Sequence, residues 1–184
     1  MKYVRVRPLE DMYGFHLDPR EYLRVLPGIV PELPAGAAEF ASDPGHYDFG
    51  SPRCVKDLTL RQVEVRDDLG RVSIDVSLAP NEWKHESGLR IRYTGVHAFW
   101  MSCEESERVE VCGFGEATGA AAFAERVGEL PSLGDLQLDE ILPSSGGFSH
   151  EIAFTEGALR VEGRDLVARW DQPSPAGAAG ETAG

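Results

Sequence analysis

Cysteine is scarce in this chain, and the chemistry that cysteine supports is correspondingly narrow. There are three, Cys54, Cys103 and Cys112. An odd number cannot all pair, and the interval from Cys103 to Cys112 fits no common zinc-ligand pattern. Reduced, mostly buried thiols in a reducing compartment are expected. Long apolar runs are lacking as well. None approaches the roughly 18 residues needed to cross a bilayer. The opening MKYVRVRPLED has neither the apolar centre nor the small-residue cleavage site of a secretory leader. A cytoplasmic location, with no membrane contact, is the expectation.

Positive charge is the third shortage. Lys and Arg total 18 against 31 Asp and Glu, a formal charge of −13 over 184 residues. Such a field repels phosphate backbones and anionic headgroups and attracts basic surfaces. Arg90 and Arg92 alternate in one segment, too few to make a nucleic-acid stripe, so no nucleic-acid partner is expected. Acidic excess also keeps a protein soluble without further purpose.

Catalytic signatures are missing too. The five histidines are far apart and form no HxH, HExxH or HxxxH, so no metal set is expected. There is no GxSxG elbow and no phosphate-cradling glycine loop. Gly113 to Gly119 superficially resembles a dinucleotide fingerprint ahead of a helix, but the parallel βαβ setting is absent. No cofactor and no catalytic residue are assigned, and the reading leans away from an enzyme.

What is present is a foldable chain. Apolar residues make up 42% of it, the proportion of an ordinary globular protein. The fold class expected is α+β but mainly β, an antiparallel sheet curling into a partial barrel with two or three short helices. Residues 1–170 form a single β-rich domain, in which 1–52 are an irregular and helical wrap and 53–170 the sheet core. Residues 171–184, DQPSPAGAAGETAG, hold no hydrophobic anchor and read as a disordered tail.

Local patterns set the elements. Lys2 to Arg7 suggests an edge strand stopped by Pro8. Asp18-Pro19 starts a helix that should end at Pro27-Gly28, and a short helix fits Ala35 to Ala41. Lys56 to Arg66 and Val72 to Leu78 flank a turn and form a hairpin. Val72, Ile74, Val76 and Leu78 share one face with a period of two. Leu58 and Leu60 are out of phase with Val63 and Val65, which predicts a bulge near Gln62. Leu89 to Thr94 is a further strand. Gly95 marks a bend and Val96 to Met101 continues it. A short strand at Val109 and Val111 and a helix over Ala117 to Val127 follow. Leu136 to Leu142, Phe148 to Thr155 and Ala158 to Trp170 make a meander of three strands.

Two regions could carry binding. The loop from Pro80 to Gly88 exposes Trp83, His85, Glu82 and Glu86, and a glutamate there could tune His85 towards general-base work. The bland alternative is that Trp83 folds back on the sheet and the charges are solvated. In His97 to Met101, alternation separates His97, Phe99 and Met101 from Ala98 and Trp100. An exposed Trp100 next to Glu104, Glu105 and Glu107 has the makings of an interface hot spot, or of an ordinary sheet residue. His150 falls on the apolar face of Phe148, Ile152 and Phe154, where a lone histidine is usually a satisfied core residue.

The stretches Gly88 to Val96 and Ser149 to Ile152, continuing through Leu166 to Trp170, resemble a loose set of small, acidic, β-rich proteins. Some of those are immunity proteins that neutralise a toxin. The resemblance covers about residues 50 to 170, rests on generic strand patterns, and supplies no catalytic residue to carry over.

Two functions therefore compete. The first is a protein-binding module of the immunity type that masks a basic protein partner through Trp83, His85, Glu86, Trp100, Glu104, Glu105 and Glu107. The second is a small barrel that binds or transforms an apolar metabolite, with Tyr93, Glu140 and His150 as polar handles in its lumen. Oligomeric state is not legible. A solid interior favours the first reading and a polar-lined cavity the second.

Overall fold

A computed structural model describes residues 1–9, 14–103 and 133–172. The expected strand at Val109 and Val111, the helix over Ala117 to Val127, the acidic residues Glu104, Glu105 and Glu107, and the tail from residue 173 lie outside the described residues. Among those described the protein is mainly β, with two α-helices and three antiparallel sheets.

The N-terminal region supplies a small sheet of β1 (Arg5–Pro8) and β2 (Phe15–Asp18), then α1 (Arg20–Ile29), a 3₁₀ turn (Val30–Glu32) and α2 (Ala35–Ala41). The first strand is shorter than its alternation suggests, because the amides of Lys2, Tyr3 and Val4 are drawn to a carboxylate instead. Helix α1 runs past the expected stop at Pro27-Gly28 to Ile29, and Val30 N–H still donates to the Leu26 carbonyl. Pro27 forgoes a single hydrogen bond near the helix end, which the turn beyond it outweighs. Helix α2 has the bounds read from the sequence.

Strands β3 (Thr59–Asp68) and β4 (Arg71–Ala79) form the expected hairpin, with the register slip between Leu60 and Gln62. Its two-residue turn places Leu69 at φ 51° and Gly70 at φ 81°. Both central residues of such a turn need positive φ, and the twist then matches that of the strands. With β5 (Leu89–Thr94) and β10 (Asp165–Trp170) these strands make one four-stranded sheet, ordered β10-β5-β4-β3. The other sheet is ordered β6-β9-β8-β7, from β6 (Ala98–Cys103), β7 (Leu136–Ser144), β8 (Gly147–Phe154) and β9 (Gly157–Gly163).

Two corrections to the expected strands share one cause. Val96 to Met101 does not prolong β5 within its sheet, and Ala158 to Trp170 is two strands. In both places a ribbon folds over. The β5–β10 pair becomes the β6–β9 pair, and the chain changes sheets at Gly95 and again at Arg164. Gly95 sits at φ 60°, and a Cβ there would lie 2.8 Å from the Arg164 side chain. Arg164 N–H donates to the Thr94 carbonyl and His97 N–H to that of Glu162, so the corner keeps its backbone bonds. Elsewhere the sheets meet through a Thr59–Asp135 bridge and Leu136 N–H on the Leu58 carbonyl at 2.7 Å.

Between the sheets lie Ile74, Val76, Leu78, Leu89, Ile91, Tyr93, Ile141, Phe148, Ile152, Leu159 and Val161, all buried. Strand β7 is buried on both faces from Leu136 to Ile141, since α1 and β2 pack over it. Helix α2 covers β10, with Gly36 so close that a Cβ would fall 1.8 Å from the Leu166 carbonyl oxygen.

Candidate functional site

Strand alternation puts His150 of β8 and Tyr93 of β5 in the interior, as the sequence suggested, and the structure brings them together. The Tyr93 hydroxyl donates to His150 Nδ1 at 2.9 Å, and His150 Nε2 donates to Asp139 Oδ2 at 2.8 Å. The other Asp139 oxygen takes His46 Nε2 at 2.7 Å, while His46 Nδ1 faces the Phe40 carbonyl at 3.0 Å. All four side chains are buried. Sequence reading missed Asp139 and His46, which lie 93 residues apart.

Hydrogen-bond capacity fixes the protons. Burial pushes the Asp139 carboxyl up, but the charge and hydrogen bonds of His46 and His150 more than reverse this and hold it well below the usual carboxylate range. Asp139 is therefore an acceptor only. Both nitrogens of His46 lie within hydrogen-bond distance of acceptors, the Asp139 carboxylate and the Phe40 carbonyl. His150 needs one, on Nε2, because Nδ1 accepts from Tyr93. Burial and then the Asp139 charge push the Tyr93 phenol well up, keeping it a donor. The result is a buried, hydrogen-bonded assembly of one carboxylate, two histidine rings and one phenol.

Other buried polar groups are likewise occupied. The Tyr47 hydroxyl donates to the Asp139 carbonyl at 3.0 Å, and the Tyr22 hydroxyl to that of Ile141 at 2.7 Å. Glu140, on the opposite face of β7, accepts the backbone N–H groups of Lys2, Tyr3 and Val4 at 2.5, 2.6 and 2.8 Å. Among the described residues the buried side-chain atom without a partner is Ser144 Oγ. Of the expected lumen handles, Tyr93 and His150 bond to each other and to Asp139, while Glu140 lies on the other face of its strand beneath the N-terminal amides.

The Pro80 to Gly88 loop divides. Trp83 is 97% exposed and Glu86 is exposed, as expected, but His85 is only 6% exposed. The expectation of an exposed His85 tuned by a glutamate is corrected. The Asn81 amide donates to His85 Nδ1 at 3.0 Å, and Nε2 donates to the Cys54 carbonyl at 2.8 Å. Burial lowers the imidazole's proton affinity, so the ring is held neutral as a pin between this loop and the 46–58 turns.

Strand β6 departs from expectation differently. One of its faces was to be core, yet Ala98 through Met101 are all exposed, with Phe99 at 39%, Trp100 at 54% and Met101 at 45%. The cause is position. β6 is the edge of its sheet and pairs only with β9 among the described residues.

The four sheet edges compare instructively. β3 is lined with Arg61, Glu64, Arg66 and Asp67. β7 lies under α1 and β2, and β10 under α2. β6, reading AFWMSC, has no charge, no proline and no described cover. Exposed edges normally carry such protection because they are templates for strand pairing.

No described helix is long and apolar enough to cross a membrane. No protein family and no curated protein matches the chain.

Proposed function

We propose that this chain is a protein-binding module that takes a basic partner at the β6 edge, as an immunity-type protein neutralising a basic toxin or enzyme would. The carrying observation is the uncharged edge Phe99-Trp100-Met101, without cover among the described residues, where the other three outer strands of the two four-stranded sheets are charged or covered. In this reading the two sheets curl into a partial barrel whose interior is filled, so the binding energy comes from outside. An extended segment of the partner adds as a strand, its backbone completing the ladder and its side chains meeting Trp100 and Phe99. The acidic run Glu104, Glu105 and Glu107 follows β6 directly in the chain, and the net charge of −13 steers a cationic surface towards it. Trp83 and Glu86 belong to the other sheet's loop and form a second, separate contact.

The lumen reading finds no comparable support, because Tyr93 and His150 spend their polar atoms on each other and on Asp139.

A photo-crosslinking residue at position 100, with position 65 on β3 as control, tests the proposal in native-cell extract. The expected result is a basic protein joined at 100 alone, with a yield that falls as salt rises. No product at 100, or the same products from 65, would overturn it.

A further inference from the structure

In so acidic a chain, a cluster of cations stands out. Lys2, Arg5, Arg7, His16 and Arg20 line a surface hollow of about 550 Å³ together with Tyr3, Asp18 and Glu21. The hollow lies against the β1–β2 sheet, on the side of the larger sheet away from β6. Strand alternation places Arg5 and Arg7 on one face, about 7 Å apart, with Asp18 and His16 directly opposite them in register.

The two acids in the hollow leave Lys2, Arg5 and Arg7 unneutralised. Asp18 lies across from Arg5 but turns to Arg20, which it holds through two bonds of 2.8 Å. Glu21 pairs with Arg24 at 2.7 Å. Among the described residues Lys2, Arg5 and Arg7 have no carboxylate at ion-pair distance; Lys2 rests over the Tyr3 ring at 4.6 Å. Arg7 is set opposite His16, a juxtaposition that costs stability whenever the imidazole is charged.

The platform beneath is pinned. The buried Glu140 carboxylate takes three successive amides, of Lys2, Tyr3 and Val4, leading into β1, while Val6 and Leu17 pack inward against the core. Arg5 and Arg7 therefore project from backbone that is already ordered, which lowers the cost of closing on a ligand.

We propose that this hollow binds a small dianion of the phosphate-monoester type, held by Arg5 and Arg7 in forked hydrogen bonds with Lys2 completing the charge. The surrounding negative field argues for a compact ligand: a long polyanion would meet the acidic surface, whereas a single phosphate group meets only the basic hollow.

Calorimetric titration with inorganic phosphate and with phenyl phosphate tests this on the full chain. Saturable binding of both is expected, weakened more than tenfold in Arg5→Gln/Arg7→Gln and unchanged in Arg90→Gln. Should the double variant unfold, Arg7→Lys keeps the charge without the planar fork and is expected to bind about three- to tenfold more weakly. Absence of saturable binding, equal affinity in these hollow variants, or duplex DNA binding as tightly as phenyl phosphate would overturn the proposal.

Discussion

Asp139 accepts hydrogen bonds from two histidines that reach it from different parts of the chain, His46 from the N-terminal wrap and His150 from the neighbouring strand. Replacing it by alanine leaves two buried imidazoles without their shared acceptor, and a loss of about 2–4 kcal/mol is expected in denaturant unfolding. The tautomers have their own check. Nitrogen-15 spectra of the imidazoles should place the ring N–H of His150 and of His85 at Nε2, and a proton on Nδ1 of either ring, which faces a donor, would contradict the assignment. His150 was legible as a core histidine from its place between Phe148 and Ile152. Its partner had a signal that went unread: Asp139 and Glu140 are adjacent acids within the leucine-rich strand Leu136 to Leu142, and adjacent acids in a buried strand must each find donors. Nothing local points to His46, because its contact is set by how the wrap crosses β7.

Among the elements, those whose pattern is local could be read closely. β5 and α2 have the expected bounds, and the slip at Gln62 follows from leucines and valines falling on opposite phases. The corner was harder. Residue types continue without a break from β5 into β6 and from β9 into β10, and periodicity does not report a change of sheet. Gly95 was visible as a bend; its partner Arg164 carries no such mark. The close contact between α2 and β10 gives an element-level prediction. Gly36→Ala would drive a methyl into the Leu166 carbonyl and push the helix outward, which should lower stability by about 1–3 kcal/mol. Gly28→Ala, with nothing near its added carbon, is the matched control in the same thermal-unfolding series.

For the molecule as a whole, buried groups with displaced titrations set the pH range. His85 is held neutral by burial, so its folded affinity for protons is below the unfolded value near 6.5. The unfolded chain then takes up a proton first, and stability falls as pH drops below about 6.5. Asp139 adds a second loss. Its carboxyl is lowered on folding, so the stability it contributes is complete above the unfolded value near 3.9 and disappears as pH falls further. Unfolding midpoints measured from pH 8 to pH 3 should therefore decline in two stages, and His85→Gln should remove the first. The proposed function rests on the surface, where, among the described residues, β6 lacks the protection given to the other outer strands of the two four-stranded sheets. Amide hydrogen exchange across the chain, measured with and without the partner captured at position 100, tests that claim most directly. The account predicts new protection at alternate amides of Ala98 to Cys103, with β3 unchanged. Protection that leaves β6 untouched and appears elsewhere would contradict it.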